Sequence, residues 1–176
     1  MQLLILLIVV AAGILLLKQA RRQGPVPGGA SPGRNSELSA TISRLMNRRS
    51  HDVHPADAID DARLAASGVV VAIATMDAPF SQAEIKALSE AAQGTFDVTE
   101  REALDIVSFG RWIAAECETQ VEATERLSHR VEQLAGSDAG ADLVRMIEHV
   151  VAADNGTVGT DEREAIDTVR KILRVT

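Results

Sequence analysis

Two capping boxes divide the middle of this chain into helices and constrain its fold more than any other feature. Ser81 is followed three residues later by Glu84, and Thr99 is followed at the same distance by Glu102. In this pattern the hydroxyl accepts a hydrogen bond from the backbone N–H of the glutamate, and the glutamate side chain accepts one from the N–H of the first residue. Apolar residues at helical spacing follow both boxes, so Ser81 and Thr99 are predicted to begin α-helices.

Further segments have the same helical spacing of apolar residues, at 57–76, 120–134, 143–151 and 160–173, and a shorter one lies at 36–49. Aromatic residues make up only 2% of the chain, which leaves few typical strand formers. We therefore expect an all-α fold, a compact bundle of six helices. Its predicted core consists of Leu64, Val70, Ile73, Leu88, Leu104, Val107, Trp112, Leu127, Leu134, Ile147, Val151, Ile166, Val169 and Leu173.

The amino-terminal segment is unlike the rest of the chain. Residues 3–17 carry no polar side chain, and Lys18, Arg21 and Arg22 follow them. Residues 1–17 would span roughly 25 Å as a helix, close to the roughly 30 Å of a bilayer core. A secretory signal has its positive charge before the apolar run, not after it. Residues 1–22 are therefore predicted to be a single-pass membrane anchor, with a cleaved signal peptide and a buried helix as the alternatives.

The anchor sets the expected organisation of the rest. The positive-inside rule places the segment after Lys18 in the cytoplasm, so the predicted location is a bacterial-type inner membrane. Residues 23–35 hold four glycines and three prolines and are predicted to be a linker. Residues 36–55 form the predicted juxtamembrane segment, and residues 56–176 form the helical domain.

The charge balance excludes nucleic acid as a partner. Lys18, Arg21, Arg22 and Arg34 are the only charged residues before Ser36, so residues 36–176 hold 14 basic and 25 acidic residues, a net charge of −11. Such a surface repels polyanions, whereas cations and basic partners suit it. Cys117 is the only cysteine, so the chain has no internal disulfide that would require an oxidising compartment.

The chain also repeats itself. Residues 99–107 (TEREALDIV) and 161–169 (DEREAIDTV) are identical at six of nine positions. A second repeat, which we call the second echo, relates residues 74–84 to residues 152–162. In each segment a helix ends in a polar loop that leads to a glutamate. Asp77 precedes Glu84 by seven residues, and Asn155 precedes Glu162 by seven. The domain is therefore predicted to have two pseudo-repeated halves.

Three segments resemble the TerB-like tellurite-resistance family. Residues 146–173 (MIEHVVAADNGTVGTDEREAIDTVRKIL) are similar to the carboxy-terminal signature of the family, residues 69–88 (VVVAIATMDAPFSQAEIKAL) to its amino-terminal copy, and residues 94–107 (GTFDVTEREALDIV) to the segment between them. The resemblance covers about residues 64–175. It implies an all-helical bundle whose acidic surface clusters bind divalent metal, in a membrane-associated response to tellurite or envelope stress.

The chain departs from the family pattern in both loops. The Asp-Gly pair of the family is replaced by Asp77-Ala78 in the first copy. In the second copy Asn155 stands between Asp154 and Gly156, either in place of the aspartate or as an insertion.

These loops contain the predicted ligands of a divalent cation, which are Asp77, Glu84, Asp154, Asn155 and Glu162. Their carboxylate and amide oxygens suit Ca²⁺. The spacing excludes an EF-hand, because a Gly156 at the sixth loop position would place Val151 and Ala153 at the first and third. The alternative is structural: the loop residues end one helix, while Glu84 and Glu162 cap the next.

A second candidate metal cluster precedes the domain. His51 and His54 are followed by Asp57, Asp60 and Asp61, and histidine and carboxylate are ligands for Zn²⁺ and Fe²⁺. This cluster would support a membrane-anchored metal-dependent hydrolase. The alternative is a solvated polar segment beside a proline.

The chain lacks the usual marks of an enzyme. It has no glycine-rich phosphate loop, no Ser/His/Asp order and no nucleophile elbow. The expected function is therefore a non-enzymatic, membrane-tethered cytoplasmic TerB-like binding or scaffold module that responds to divalent cations and binds a protein partner. The hydrolase that uses His51 and His54 is the second hypothesis.

Overall fold

The computed structural model describes residues 32–47 and 53–175. Residues 36–176 form one compact unit. The predicted anchor at residues 1–22 lies outside the described residues, as does most of the predicted linker, so both stay predictions. No helix in the described part is long and apolar enough to cross a membrane.

The regular elements of the described residues are all helices, as the sequence predicts. The described residues form seven α-helices: α1 (Pro32–Asn47), α2 (Ala62–Ala74), α3 (Gln82–Phe96), α4 (Glu100–Ala115), α5 (Gln120–Ala135), α6 (Gly140–Asn155) and α7 (Thr160–Leu173). Two short 3-10 helices lie at Pro55–Ala58 and Ser137–Ala139.

Helix α2 is the centre of the bundle. Every residue from Leu64 to Ala74 is buried, and the helix packs against α4, α5 and α6. Small residues allow close approach: a Cβ atom at Gly110 would lie 2.9 Å from the carbonyl oxygen of Ser67. Helices α2 and α4 therefore cross with their backbones almost in contact.

Helix α2 begins later than the predicted residue 57. Asp57 lies in the first 3-10 helix, and Ile59 is fully buried with an extended backbone. Asp61 is the N-cap, and its Oδ1 accepts a hydrogen bond from the N–H of Arg63 at 2.9 Å. The acidic residues therefore precede the helix rather than form its first turn.

The predicted juxtamembrane helix corresponds to α1, which packs on the domain. Leu38 and Leu45 are buried and belong to the common core. Ser39 donates a hydrogen bond to Asp105, and Arg44 forms an ion pair with Asp60 at 3.3 Å. Helix α1 is thus attached to the domain by two buried leucines and by these polar contacts.

Most of the predicted core residues are buried, while Trp112 and Leu134 are half-buried at its edge. The prediction that Leu104 belongs to the core is wrong, because this residue is 46% exposed. The TEREALDIV repeat pairs Leu104 with the buried Ile166. In the structure, however, the glutamates at the third position of α4 and α7 are Glu102 and Glu162. This register pairs Ile166 with Ile106, which is fully buried.

Candidate functional site

Two loops of the same design meet at one end of the bundle. One joins α2 to α3, and the other joins α6 to α7. Phe80 in the first loop and Val158 in the second pack against the core. Each loop ends at an N-cap residue whose N–H donates to a glutamate three residues later. The second echo in the sequence is therefore structural.

The first loop ends in a complete capping box. The N–H of Ser81 donates to Glu84 Oε2 at 2.8 Å, and the N–H of Glu84 donates to Ser81 Oγ at 3.2 Å. The Glu84 side chain is buried. This confirms the cap predicted for Ser81, and it shows that Glu84 has a structural role whatever else it does.

The second loop keeps only half of the box, because its N-cap is Gly159. The N–H of Gly159 donates to Glu162 Oε2 at 2.6 Å, but glycine has no hydroxyl to accept in return. The φ and ψ angles of Gly159 are −63° and 174°, an extended conformation open to any residue. Space explains the glycine instead: a Cβ here would lie 2.5 Å from Asp77 Oδ2 and 3.2 Å from Glu162 Oε2.

Three carboxylates, Asp77, Glu84 and Glu162, are therefore brought together from the two loops, and we call them the loop carboxylates. Burial raises the pKa of Glu162 above its ordinary value, the N–H of Gly159 opposes this, and the charges of the other two raise the pKa further. Arg163 lowers it, while its Nη2 donates to the carbonyl of Val158 at 2.6 Å. A bound cation would offset the unfavourable charge of Glu162.

The chemistry of this group fits a hard cation, since carboxylate oxygens are the ligands that Ca²⁺ and Mg²⁺ prefer. A carboxylate can accept several hydrogen bonds or ligands, so an amide bound to Oε2 leaves capacity on Glu84 and Glu162. In the part of the chain that the structure describes, however, no three His, Cys, Asp or Glu side chains are arranged to hold a metal ion. Binding would require the loop carboxylates to turn toward one another.

The other two predicted ligands lie at the end of α6. Asp154 is exposed, and no described contact joins its carboxylate to the loop carboxylates. The side chain of Asn155 lies outside what the structure describes, so its ligand role stays a prediction. Helix α6 ends at Asn155, and its C-cap is Gly156, whose φ of 73° is left-handed and favours glycine.

The histidine cluster has structural roles where it is described. His54 is the N-cap of the first 3-10 helix, and its Nδ1 accepts the N–H of Ala56 at 3.2 Å. His51 lies outside the described residues. The acidic residues of this segment each pair with an arginine, namely Asp57 with Arg126, Asp60 with Arg44 and Asp61 with Arg63. The described residues therefore give the metallohydrolase hypothesis no support.

Sequence reasoning missed Gly159 as part of the site. Within the second echo it is the residue that matches Ser81. A glycine in place of a good N-cap residue is a signal of close approach by another group. The approaching group is the carboxylate of Asp77, which comes from the α2–α3 loop.

The comparison with known families covers both loops. The family model for tellurite resistance protein TerB matches residues 63–176, which include all of the helices from α2 to α7 apart from the first residue of α2. No curated protein and no solved structure matches the chain significantly. The family match spans more than half of the chain. The chain therefore belongs to the TerB family of tellurite resistance proteins.

Proposed function

We propose that this chain is a membrane-tethered cytoplasmic TerB module that binds a divalent cation with its loop carboxylates and passes this signal to a protein partner. The approach of Asp77 to Gly159 and Glu162, with the charge of Glu84 also acting on Glu162, is the observation that supports the proposal best. The module acts by binding and not by catalysis, in a response to tellurite or envelope stress.

The physical basis is repulsion within the apo site. The raised pKa of Glu162 indicates that its charged form is disfavoured by burial and by two like charges. A divalent cation would offset this repulsion and draw together the α2–α3 and α6–α7 loops. Because these loops belong to different halves of the domain, cation binding would couple the two halves and reduce the negative potential at this end of the bundle.

Thermal unfolding of the full-length chain tests the cation site. Calcium or magnesium at about 1 mM should raise the melting temperature by several degrees if the folded state binds the ion. Fluorescence of Trp112, which packs on Phe109 at a ring distance of 5.3 Å, provides a second readout. Asp77→Asn should abolish the response and leave the stability of the apo form equal or higher.

A matched control is Asp138→Asn, which removes an exposed charge from the 3-10 helix between α5 and α6 and should leave the response intact. If neither ion changes the melting temperature of the unmodified chain, the cation role fails. If the response survives Asp77→Asn, the ion binds elsewhere.

The tether is tested separately by fractionation. The full-length chain should sediment with membranes and resist carbonate extraction, because residues 1–22 hold a continuous apolar run followed by positive charge. Removal of these residues should release the chain. A mature protein that begins after Ala20 would show a cleaved signal peptide instead.

A further inference from the structure

A groove of about 410 Å³ lies beside the loop carboxylates, between the amino-terminal halves of α5 and α7. Its volume is within the range of ligand and side-chain pockets. Its lining includes apolar positions and carboxylates, namely Met76, Val121, Ala165, Glu125, Asp161 and Glu164. We call the last three the groove carboxylates.

The groove carboxylates have no basic partner among the described residues, and no basic residue lines the groove. The nearest arginines in sequence are used elsewhere: Arg126 pairs with Asp57 and Glu122, and Arg163 donates to the carbonyl of Val158. Of the other exposed acidic residues that the structure describes, six form ion pairs and the rest form none; the six are Asp57, Asp60, Glu90, Asp142, Glu148 and Asp167. Negative charge is thus left uncompensated around this groove.

The helix dipoles account for only part of this charge. Asp161 is in the first turn of α7, where a negative side chain is favourable. Glu125 and Glu164 lie beyond the first turns of their helices, where the dipole effect has decayed. The helix dipoles therefore do not explain the negative charges of Glu125 and Glu164.

An apolar side chain lies among these charges. Val121 is 60% exposed, the highest value among the large hydrophobic residues that the structure describes as exposed. It precedes Glu125 by one helical turn, so both face the groove from α5. Ala165 is next to Glu164 on the opposite wall. The groove thus combines three apolar residues and three carboxylates with uncharged polar residues, which are Thr119, Gln120, Thr124 and Thr168.

We propose that this groove docks a basic amphipathic helix of a partner protein. Helices bind in grooves by their apolar face, and here an aliphatic side chain would lie on the exposed Val121 beside the half-buried Met76. Lysine or arginine side chains beside it would reach the groove carboxylates. The net charge of −11 on residues 36–176 would speed the encounter with such a helix. The proposal rests on the proposed role as a binding module, and it names the surface and the chemistry of the partner.

The test measures peptide binding by the full-length chain in nanodiscs of zwitterionic lipid. The probe is a synthetic amphipathic peptide with leucine on one face and lysine on the other, labelled with a fluorophore and followed by anisotropy. The double variant Glu125→Gln, Glu164→Gln should weaken binding about tenfold or more at low salt, and Val121→Ser should also weaken it severalfold. A peptide with glutamate in place of lysine should not bind.

The matched control removes the same charge at the other end of the bundle, by Glu100→Gln with Asp138→Asn. Binding that falls as much in this control as in the groove variant would mean non-specific attraction and would overturn the proposal. Equal binding by all variants would also overturn it. If spermine binds as well as the peptide and Val121→Ser has no effect, the groove holds small polycations and the docking of a helix is wrong.

The groove and the cation site are separable in these experiments. The groove variants should keep the calcium-induced change in melting temperature. If the unmodified chain binds the peptide at the groove but shows no response to calcium or magnesium, the cation role fails and the docking surface stands. If the chain responds to calcium but does not bind the peptide, the docking surface fails and the cation role stands.

Discussion

Glu162 has two opposing effects on the folded state. Its Oε2 accepts the N–H of Gly159 at 2.6 Å and so satisfies the start of α7, but burial and the charges of Asp77 and Glu84 raise its pKa above the ordinary value of 4.5. The folded state therefore binds the proton of the Glu162 carboxyl group more tightly than the unfolded state does. The stability that this proton contributes is complete below pH 4.5 and is lost as the pH rises through the raised pKa of Glu162.

Replacement of this residue separates the two effects. Glu162→Gln keeps an acceptor for Gly159 and cannot ionise, so at neutral pH the variant should be at least as stable as the unmodified chain. Its stability should also change less between about pH 4 and pH 7. Glu162→Ala loses the acceptor and should cost about 0.5–2 kcal/mol. Urea unfolding at several pH values measures both, and a Gln variant as unstable as the Ala variant at neutral pH would contradict this account.

Gly159 is the second informative residue, because its backbone tolerates any side chain while the space beside it does not. In Gly159→Ala the new Cβ would displace the Asp77 carboxylate, which is exposed and can turn away. The cost to stability should therefore be below about 1 kcal/mol, but the response to calcium should be lost, since the loop carboxylates are moved apart. Calorimetric titration with calcium checks this, and binding at unchanged affinity would exclude Asp77 in its observed position from the site.

At the scale of the helices, two glycines provide a matched pair. A Cβ at Gly110 would lie 2.9 Å from the backbone of Ser67, which cannot move without shifting α2. A Cβ at Gly94 would meet no atom within 4 Å. Gly110→Ala should destabilise the chain by about 1–3 kcal/mol, whereas Gly94→Ala should stabilise it by about 0.4–1 kcal/mol. Denaturant unfolding of both variants tests the close crossing, and a neutral Gly110→Ala would disprove it.

The helices themselves were largely predictable, because their signals are local. Capping boxes at Ser81 and Thr99 are read directly from a spacing of three residues, and the structure confirms both. The start of α2 was not predictable in this way, since Asp57 and Asp61 are equally good caps and tertiary contacts decide between them. The exposure of Leu104 was missed because the apolar spacing of its helix fitted Leu104 as well as Ile106, and only Ile106 is buried.

At the scale of the whole molecule, the sequence analysis assigned one cation site to both loops, but the residues within each loop do not determine how the loops meet. The loops lie far apart along the chain, and spacing within each one says nothing about the distance between them. The approach of Asp77 to Gly159 depends on how α2, α3, α6 and α7 pack. The groove carboxylates were missed for the same reason, because Glu125 and Glu164 form one surface only when α5 and α7 are neighbours.

The excess of negative charge makes the stability of the domain depend on salt. Residues 36–176 carry a net charge of −11, and the ion pairs that offset this are mostly exposed, where each contributes only about 0–1 kcal/mol. Screening by sodium chloride should weaken the general repulsion more than it weakens these pairs, so the melting temperature should rise by a few degrees between about 0.02 M and 0.2 M salt. A fall in the melting temperature would mean that the ion pairs dominate.

At the higher salt concentration a further addition of about 1 mM calcium changes the screening very little. A shift that still saturates at this calcium concentration would therefore come from a bound ion, and sodium chloride added to the same ionic strength should not reproduce it.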